Sequence, residues 1–376
     1  MFLFPLLGFL ALGAWIYLAV WHGQFWQPLL PEKAEMPKAW PSVDIVVPAR
    51  NEADMLPLTL PWLLKQNYQG DWRIILVDDH SKDGTAAVAR KIAERQDKAD
   101  KLTVISAPEL PKGWTGKLAA MNAGLGQSRA DMVLFTDADI RHRPQSLSEL
   151  VASAEAGKLD LASRMVKLNC TAFAEKLLIP AFVFFFAMLY PFRRANNMYD
   201  QTAAAAGGVM LLRRKTLDKI GGLERIKGAL IDDCSLAKLI KSEAGNVELT
   251  LTQDIDSLRA YPRINDVWRM VARTAYTQLG YSPLLLAGTV LGMALLFLLP
   301  PLLFLYAPTL WSLIAGFGAY LIMTLVYLPT IRFYDLPWAW ALALPAAALV
   351  YVAATVDSAR LYHKGKGGQW KGRAQA

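Results

Sequence analysis

Two acids stand one residue apart near the middle of the chain, Asp137 and Asp139, closing the apolar run Met132–Thr136. Such a run reads as a strand buried in a parallel sheet. On a continuing strand residues i and i+2 share a face, so the two carboxylates are expected to converge. Like charges that close raise each other's pKa unless a cation sits between them. A hard divalent cation, Mg2+ or Mn2+, suits the pair, since such ions are usually held by one or two carboxylates plus substrate phosphates. A nucleotide site nearby follows as the expectation. Asp79 is placed to accept an imide N–H from the base, and Lys117, after Gly116 and ahead of a helix, suits a phosphate. "GWTGK" is not a Walker-type loop, which needs a glycine where Pro111 stands.

A second acidic pair, Asp232-Asp233, opens a helical pattern. It reads as an N-cap, because acids complement the positive end of a helix. It reads equally as the place of a general base, Asp233, that deprotonates an acceptor hydroxyl. Of the 4 histidines only His80 and His142 stand near these clusters, and His142, beside two arginines, reads as a surface residue. No Ser-His-Asp or Cys-His order suggests covalent hydrolysis.

Elements must carry these groups. "SVDIVVPARNE" gives a strand at Val43–Val47 stopped by Pro48, then a turn and a helix over Met55–Gln66. "WRIILVDDHSKDGT" repeats the logic with a strand at Ile74–Val77 and a helix over Thr85–Arg95. "LTVISAP" is a third strand, "WTGKLAAMNAGLGQS" a helix, and "DMVLFTDAD" the next strand. Strands alternating with helices at this spacing predict a parallel, doubly wound α/β sheet with ligands at the carboxyl ends of the strands. Asn51-Glu52, Asp78-Asp79 and Asp137-Asp139 all fall at such ends. Further on come a short strand at Asp160–Met165, a turn into a strand at "AAAAGGVMLLRR", the helix of "LIDDCSLAKLIKSEAGN", and a final strand at Val247–Leu251.

The chain has 376 residues, 54% hydrophobic, and a net charge of +8. Phe2–Trp21, Leu284–Tyr306, Leu310–Leu328 and Trp338–Val356 are long enough to cross a bilayer core, which takes about 20 apolar residues. Leu177–Phe192, shorter and interrupted by Pro180, reads as a buried or re-entrant segment. The expected organisation is a retained transmembrane anchor over residues 1–22 and a catalytic domain over 42–260. An amphipathic interfacial segment over 261–282, a transmembrane region over 283–357 and a basic tail over 358–376 follow. The positive-inside rule puts the basic block in the cytoplasm, facing membrane lipids at the inner membrane. Lys364, Lys366, Lys371 and Arg373 place the tail there too, which three full crossings after the block forbid. Leu284–Tyr306, with Pro300 and Pro301, is the expected segment to enter and leave by one face. No nucleic-acid motif is present. Cys170 and Cys234 lack zinc or redox spacing.

Six blocks follow one another in order: "VDIVVPARNEADMLPLTL", "ILVDDHSKDGT", "GWTGKLAAMNAGL", "FTDADI", "AAGGVMLLRR" and "IDDCSLAKLIK". Over about residues 42–280 the chain resembles the family 2 glycosyltransferases of the GT-A (nucleotide-diphospho-sugar transferase) fold, which are inverting and nucleotide-sugar-dependent. Within them the flanking spans, "WRMVARTAYTQLGYSPLLL" and the terminal "WKGR" are most similar to the bacterial hopene-associated glycosyltransferases. The resemblance implies a nucleotide pocket of Pro48, Ala49, Arg50, Asn51, Glu52 and Asp79, with Lys117 beside it and Asp137 on the nucleotide. It implies Asp139 on the divalent metal, Asp233 as the catalytic base and Gly207-Gly208 at the acceptor, where missing side chains leave room. Arg273 aligns with the arginine of the Gln-x-x-Arg-Trp sequence of processive members, but Met270 and Thr274 replace its glutamine and tryptophan. Transfer of one sugar, from a UDP-sugar to a lipid such as a hopanoid, is therefore expected rather than polymer synthesis. A polyprenyl-phosphate acceptor and a non-catalytic binding protein are the alternatives.

Overall fold

A computed structural model describes residues 2–365, 367, 369, 370, 373 and 374. Lys366 and Lys371 of the expected basic tail lie outside the described residues. The chain divides into two compact units. One is built from Leu29–Asn169, Arg194–Arg259 and Gln369–Ala376, the other from Met1–Pro28, Cys170–Arg193 and Ala260–Gly368.

The first unit holds an eight-stranded sheet: β1 (Val43–Ala49), β2 (Trp72–Asp78), β3 (Leu102–Ser106), β4 (Met132–Thr136), β5 (Ile140–His142), β6 (Leu161–Lys167), β7 (Val209–Arg213) and β8 (Val247–Ser257). Its order is β3-β2-β1-β4-β7-β6-β8-β5. The first four are parallel, as expected. The other half is not: β7 runs antiparallel to both β4 and β6, β6 pairs parallel with β8, and β5 antiparallel with β8. The sheet is mixed, which corrects the doubly wound parallel expectation.

Alternation along the strands separates two cores. Ile45, Val47, Ile74 and Leu76 face the helices Leu56–Leu63, Thr85–Arg95 and Ser146–Ala156. Val46, Ile75 and Val77 face Gly116–Gln127 and Asp232–Ser242. β1 runs through Pro48, which the sequence reading made its stop. Pairing with β4 has ended at Val46↔Phe135, so the missing proline N–H costs no ladder bond there. Gly124 lets the helix Gly116–Gln127 sit close on the sheet, since a Cβ there would stand 2.4 Å from Val46 Cγ1. That close seat fixes Lys117 at the head of the helix.

The second unit is helical. Leu3–Val20, Pro283–Tyr306, Leu310–Phe333 and Trp338–His363 are long and apolar enough to cross a membrane. Phe173–Leu189 is a 17-residue helix with Pro180 inside it, and Ile264–Ala272 and Ala275–Gln278 precede Pro283. Pro300 and Pro301 sit inside Pro283–Tyr306 without ending it. The helix widens to a π-turn at Ala294–Leu298 and runs on. Pro300 has no N–H for the carbonyl of Leu296, four residues back. The indole N–H of Trp15 donates to that oxygen instead, at 2.7 Å, and Trp15 is fully buried.

Candidate active site

The loops after β1 and β2 are stitched into one wall. Asn51 takes a left-handed conformation (φ 51°), its N–H donating to Ser81 Oγ (2.9 Å) and its Oδ1 accepting from Lys82 N–H (2.9 Å). Glu52 N–H donates to Thr85 Oγ1 and Ala53 N–H to Asp83 Oδ2, both at 2.9 Å. Asp79 N–H donates to the carbonyl of Ala49 (2.8 Å), while Arg50 Nη1 donates to the Asp79 carbonyl (2.5 Å). Pro48 and Ala49 are buried strand residues of β1. The five residues from Pro48 to Glu52 and Asp79 are thus brought together, with Asp79 and Glu52 buried.

Asp137 and Asp139 part company. β4 ends at Thr136, and a turn closed by Ile140 N–H on the Asp137 carbonyl (3.2 Å) carries the two acids. They therefore do not share a strand face, and each has its own cation. Lys117 Nζ lies 2.8 Å from Asp137 Oδ1, and Arg259 Nε lies 2.7 Å from Asp139 Oδ2. Burial, and then the charge of Asp137, raise the pKa of Asp139 against the pull of Arg259.

Around Lys117 a second cluster forms. Its Nζ is 3.9 Å from Asp232 Oδ2 and 3.4 Å from the carbonyl of Gly207. Burial works against its charge, but Asp137, Asp232 and Asp233 outweigh that and hold its pKa above the usual lysine value. Asp233 Oδ2 accepts from Gly207 N–H and Oδ1 from Cys234 N–H, both at 2.8 Å. Asp232 and Asp233 stand in the first turn of their helix, whose cap position is Ile231. The dense surroundings of the Asp233 carboxyl, and then the charge of Asp232, push its pKa from 3.8 up to about 6. A carboxylate titrating there is ionised at neutral pH yet still basic.

A Cβ on Gly207 would lie 3.2 Å from Asp233 Oδ2 and 3.3 Å from Lys117 Nζ, whereas one on Gly208 would meet Ile140 and Val166 at 3.6 Å. Arg273 follows the helix Ile264–Ala272 in the helical unit and is exposed there. His142, read as a surface residue, is buried, its Nε2 2.8 Å from Thr136 Oγ1, and burial lowers its pKa to about 3. It is a neutral core histidine.

Among the described residues no three His, Cys, Asp or Glu converge as a metal cage. A Mg2+ or Mn2+ ion fits only in the way such ions bind with nucleotides, on one or two carboxylates completed by phosphate oxygens. Asp139, which the sequence reading gave to the metal, is paired here with Arg259, and Asp137, which it gave to the nucleotide, with Lys117. Sequence reasoning missed Arg259. Its signal was indirect: acids at three strand ends of one sheet require fixed counter-charges.

Residues 44–221 match the family described as Glycosyl transferase family 2. Asp233 and Arg259 lie past that match. An undecaprenyl-phosphate 4-deoxy-4-formamido-L-arabinose transferase of Pseudomonas fluorescens is 36% identical over 117 residues, 31% of this chain and 33% of that protein. The probable glycosyltransferase YdaM of Bacillus subtilis is 26% identical over 222 residues, 57% of this chain and 50% of that one. The chain thus spans about a third to a half of the length of these relatives. A mannosyltransferase from Pyrobaculum calidifontis, solved in complex with GDP-Man and Mn2+, superposes with a TM-score of 0.58 at 17% identity, covering 96% of this chain and 98% of that one. That likeness shows a GT-A-like fold, the mixed sheet included. The family match over residues 44–221 and the GT-A-like fold thus fall on the same part of the chain, the mixed-sheet unit that carries the clustered acids.

Proposed function

We propose that the protein is a membrane-bound inverting glycosyltransferase that moves one sugar from a nucleotide-sugar donor to the hydroxyl of a lipid. A hopanoid is the lipid that the sequence resemblance implies, and a UDP-sugar the donor. The observation that carries this reading is the Asp233 carboxylate, poised near pH 6 and held by Gly207 N–H beside the Lys117–Asp137 ion pair. In the reaction the acceptor oxygen attacks the anomeric carbon from the face opposite the diphosphate. Its proton passes to Asp233, and the sugar–phosphate C–O bond breaks to release the nucleoside diphosphate. No glycosyl-enzyme intermediate is needed, so one base suffices. Lys117, held charged by its acidic neighbours, supports the departing phosphates, and Asp79 with the Pro48–Glu52 loop supports the nucleotide. A divalent cation on Asp139 would offset charge on the leaving diphosphate. The four apolar helices support a membrane location for enzyme and acceptor.

The undecaprenyl-phosphate relative favours a second reading, a polyprenyl-phosphate acceptor whose oxygen is already anionic. Asp233→Asn separates the two. With a lipid alcohol, turnover is expected to fall at least about a hundredfold while donor affinity holds. Turnover that survives the substitution, assayed with a polyprenyl phosphate, would overturn the base and leave the second reading.

A further inference from the structure

Arg259 stands at the carboxyl end of β8, two residues past Ser257. Leu258 N–H donates to the Asp139 carbonyl at 3.0 Å, which ties this end of the strand to the turn carrying the two acids. From there the guanidinium divides. Nε is 2.7 Å from Asp139 Oδ2, while Nη2 donates to both oxygens of Glu52, at 3.0 and 2.7 Å. The Glu52 and Asp139 side chains are only 8% and 15% exposed, so neither charge is stable there without a partner. The partition is unequal. Breaking the single contact to Asp139 leaves Arg259 still held by Glu52.

We propose that Arg259 is a built-in counter-ion that competes with the divalent cation for Asp139, with Glu52 as the site that receives the guanidinium when the metal loads. The inference rests on the metal role of Asp139 given above. It gives Glu52 a task distinct from touching the nucleotide. With no donor present, Arg259 neutralises the acid and keeps metal affinity low. Donor phosphates supply the remaining ligands and tip the exchange, so the ion arrives with the nucleotide rather than before it.

Mn2+ binding to the full-length protein in detergent, followed by the electron paramagnetic resonance of free Mn2+ with and without UDP, tests this apart from activity. Removing the positive charge with Arg259→Gln should tighten Mn2+ binding without UDP at least about tenfold, since a like charge beside the ligand is gone. Glu52→Gln should do the opposite, leaving Arg259 with Asp139 alone and weakening binding with or without UDP. A purely structural bridge would weaken binding in both variants, and that result, or no change in either, overturns the proposal. If Arg259→Gln does not fold by thermal unfolding, Arg259→Met, which also removes the charge, takes its place and should likewise tighten Mn2+ binding without UDP; weakened or unchanged binding there overturns the proposal. Absence of Mn2+ binding by the unaltered protein even with UDP would instead remove the metal role itself.

Discussion

Below about pH 6 the carboxyl of Asp233 holds a proton and cannot accept another. The rate with an alcohol acceptor should therefore show an acidic limb centred near pH 6, above which turnover levels off. Linkage gives stability the opposite sign. Between about pH 4 and 6 the folded chain keeps a proton at Asp233 that the unfolded chain has released, so stability falls as pH rises through that window. Asp233→Asn should remove the limb from the residual rate and flatten this part of the thermal-stability profile. A limb that persists unchanged in the variant would belong to another group. At this scale the residues of the candidate cluster stood out in the sequence by type and place, Asp79, Lys117, Asp137 and Asp233 among them. Arg259 did not, because an arginine after a strand is ordinary until the three-dimensional arrangement sets it between Glu52 and Asp139.

At the scale of elements, β1 to β4 were legible because each is an apolar run followed by a polar turn, most with a helix behind it. Strand direction was not. An apolar run such as Val209–Arg213 reads the same in either sense, and only the route of the chain makes β7 antiparallel to β4. β5, three residues long, is too short for periodicity to show, and β8 continues through the polar stretch after Leu251. The turn entering β7 is where an element and the chemistry meet. Gly207 presents its N–H to Asp233 and leaves room for Lys117. Gly207→Ala would press on both side chains by a few tenths of an ångström. Its turnover should drop roughly tenfold, in keeping with the sensitivity of catalysis to small displacements. Gly208→Ala, with ordinary contacts to Ile140 and Val166, should stay near the unaltered rate. Measured side by side, equal effects in the two variants would contradict a special role for Gly207.

At the scale of the whole molecule, the helical unit bears on how often the chain crosses the membrane. Tyr281 stands just before the helix Pro283–Tyr306, and Tyr362 is the last residue but one of the stretch Trp338–His363, yet their rings stack with centroids 4.3 Å apart. Tyr276 also touches Tyr362 and His363, and its N–H donates to Ser358 Oγ at 3.0 Å. Two ends that stack cannot lie on opposite sides of a hydrocarbon core about 30 Å thick. If these helices span a bilayer, the chain between Tyr281 and Tyr362 therefore crosses it an even number of times. Pro283–Tyr306 runs through its prolines as one helix, and Leu310–Phe333 packs back against it, a Cβ on Gly316 falling 2.5 Å from Leu303 Cβ. We propose these two as an outward and a returning pass. On that arrangement Trp338–His363, though long and apolar enough to cross, would be the stretch that starts and ends on one face, which the sequence reading expected of Leu284–Tyr306. Its start is a 3-10 turn at Trp338–Ala343, where Tyr320 OH donates to the Leu342 carbonyl at 3.0 Å, well inside the preceding helix. Its far end carries Asp357 and Arg360, with Asp357 accepting from Trp268 Nε1 at 2.9 Å. Positive-inside bias would put the face that holds Lys364 in the cytoplasm. In a background with Cys170 and Cys234 replaced, single cysteines at Arg263 and Lys364 should both resist a membrane-impermeant thiol reagent in whole cells. One at Pro308 should react promptly. Labelling at Lys364 with Arg263 still protected would mean an odd number of crossings, and the Tyr281–Tyr362 stack could not then exist in the membrane.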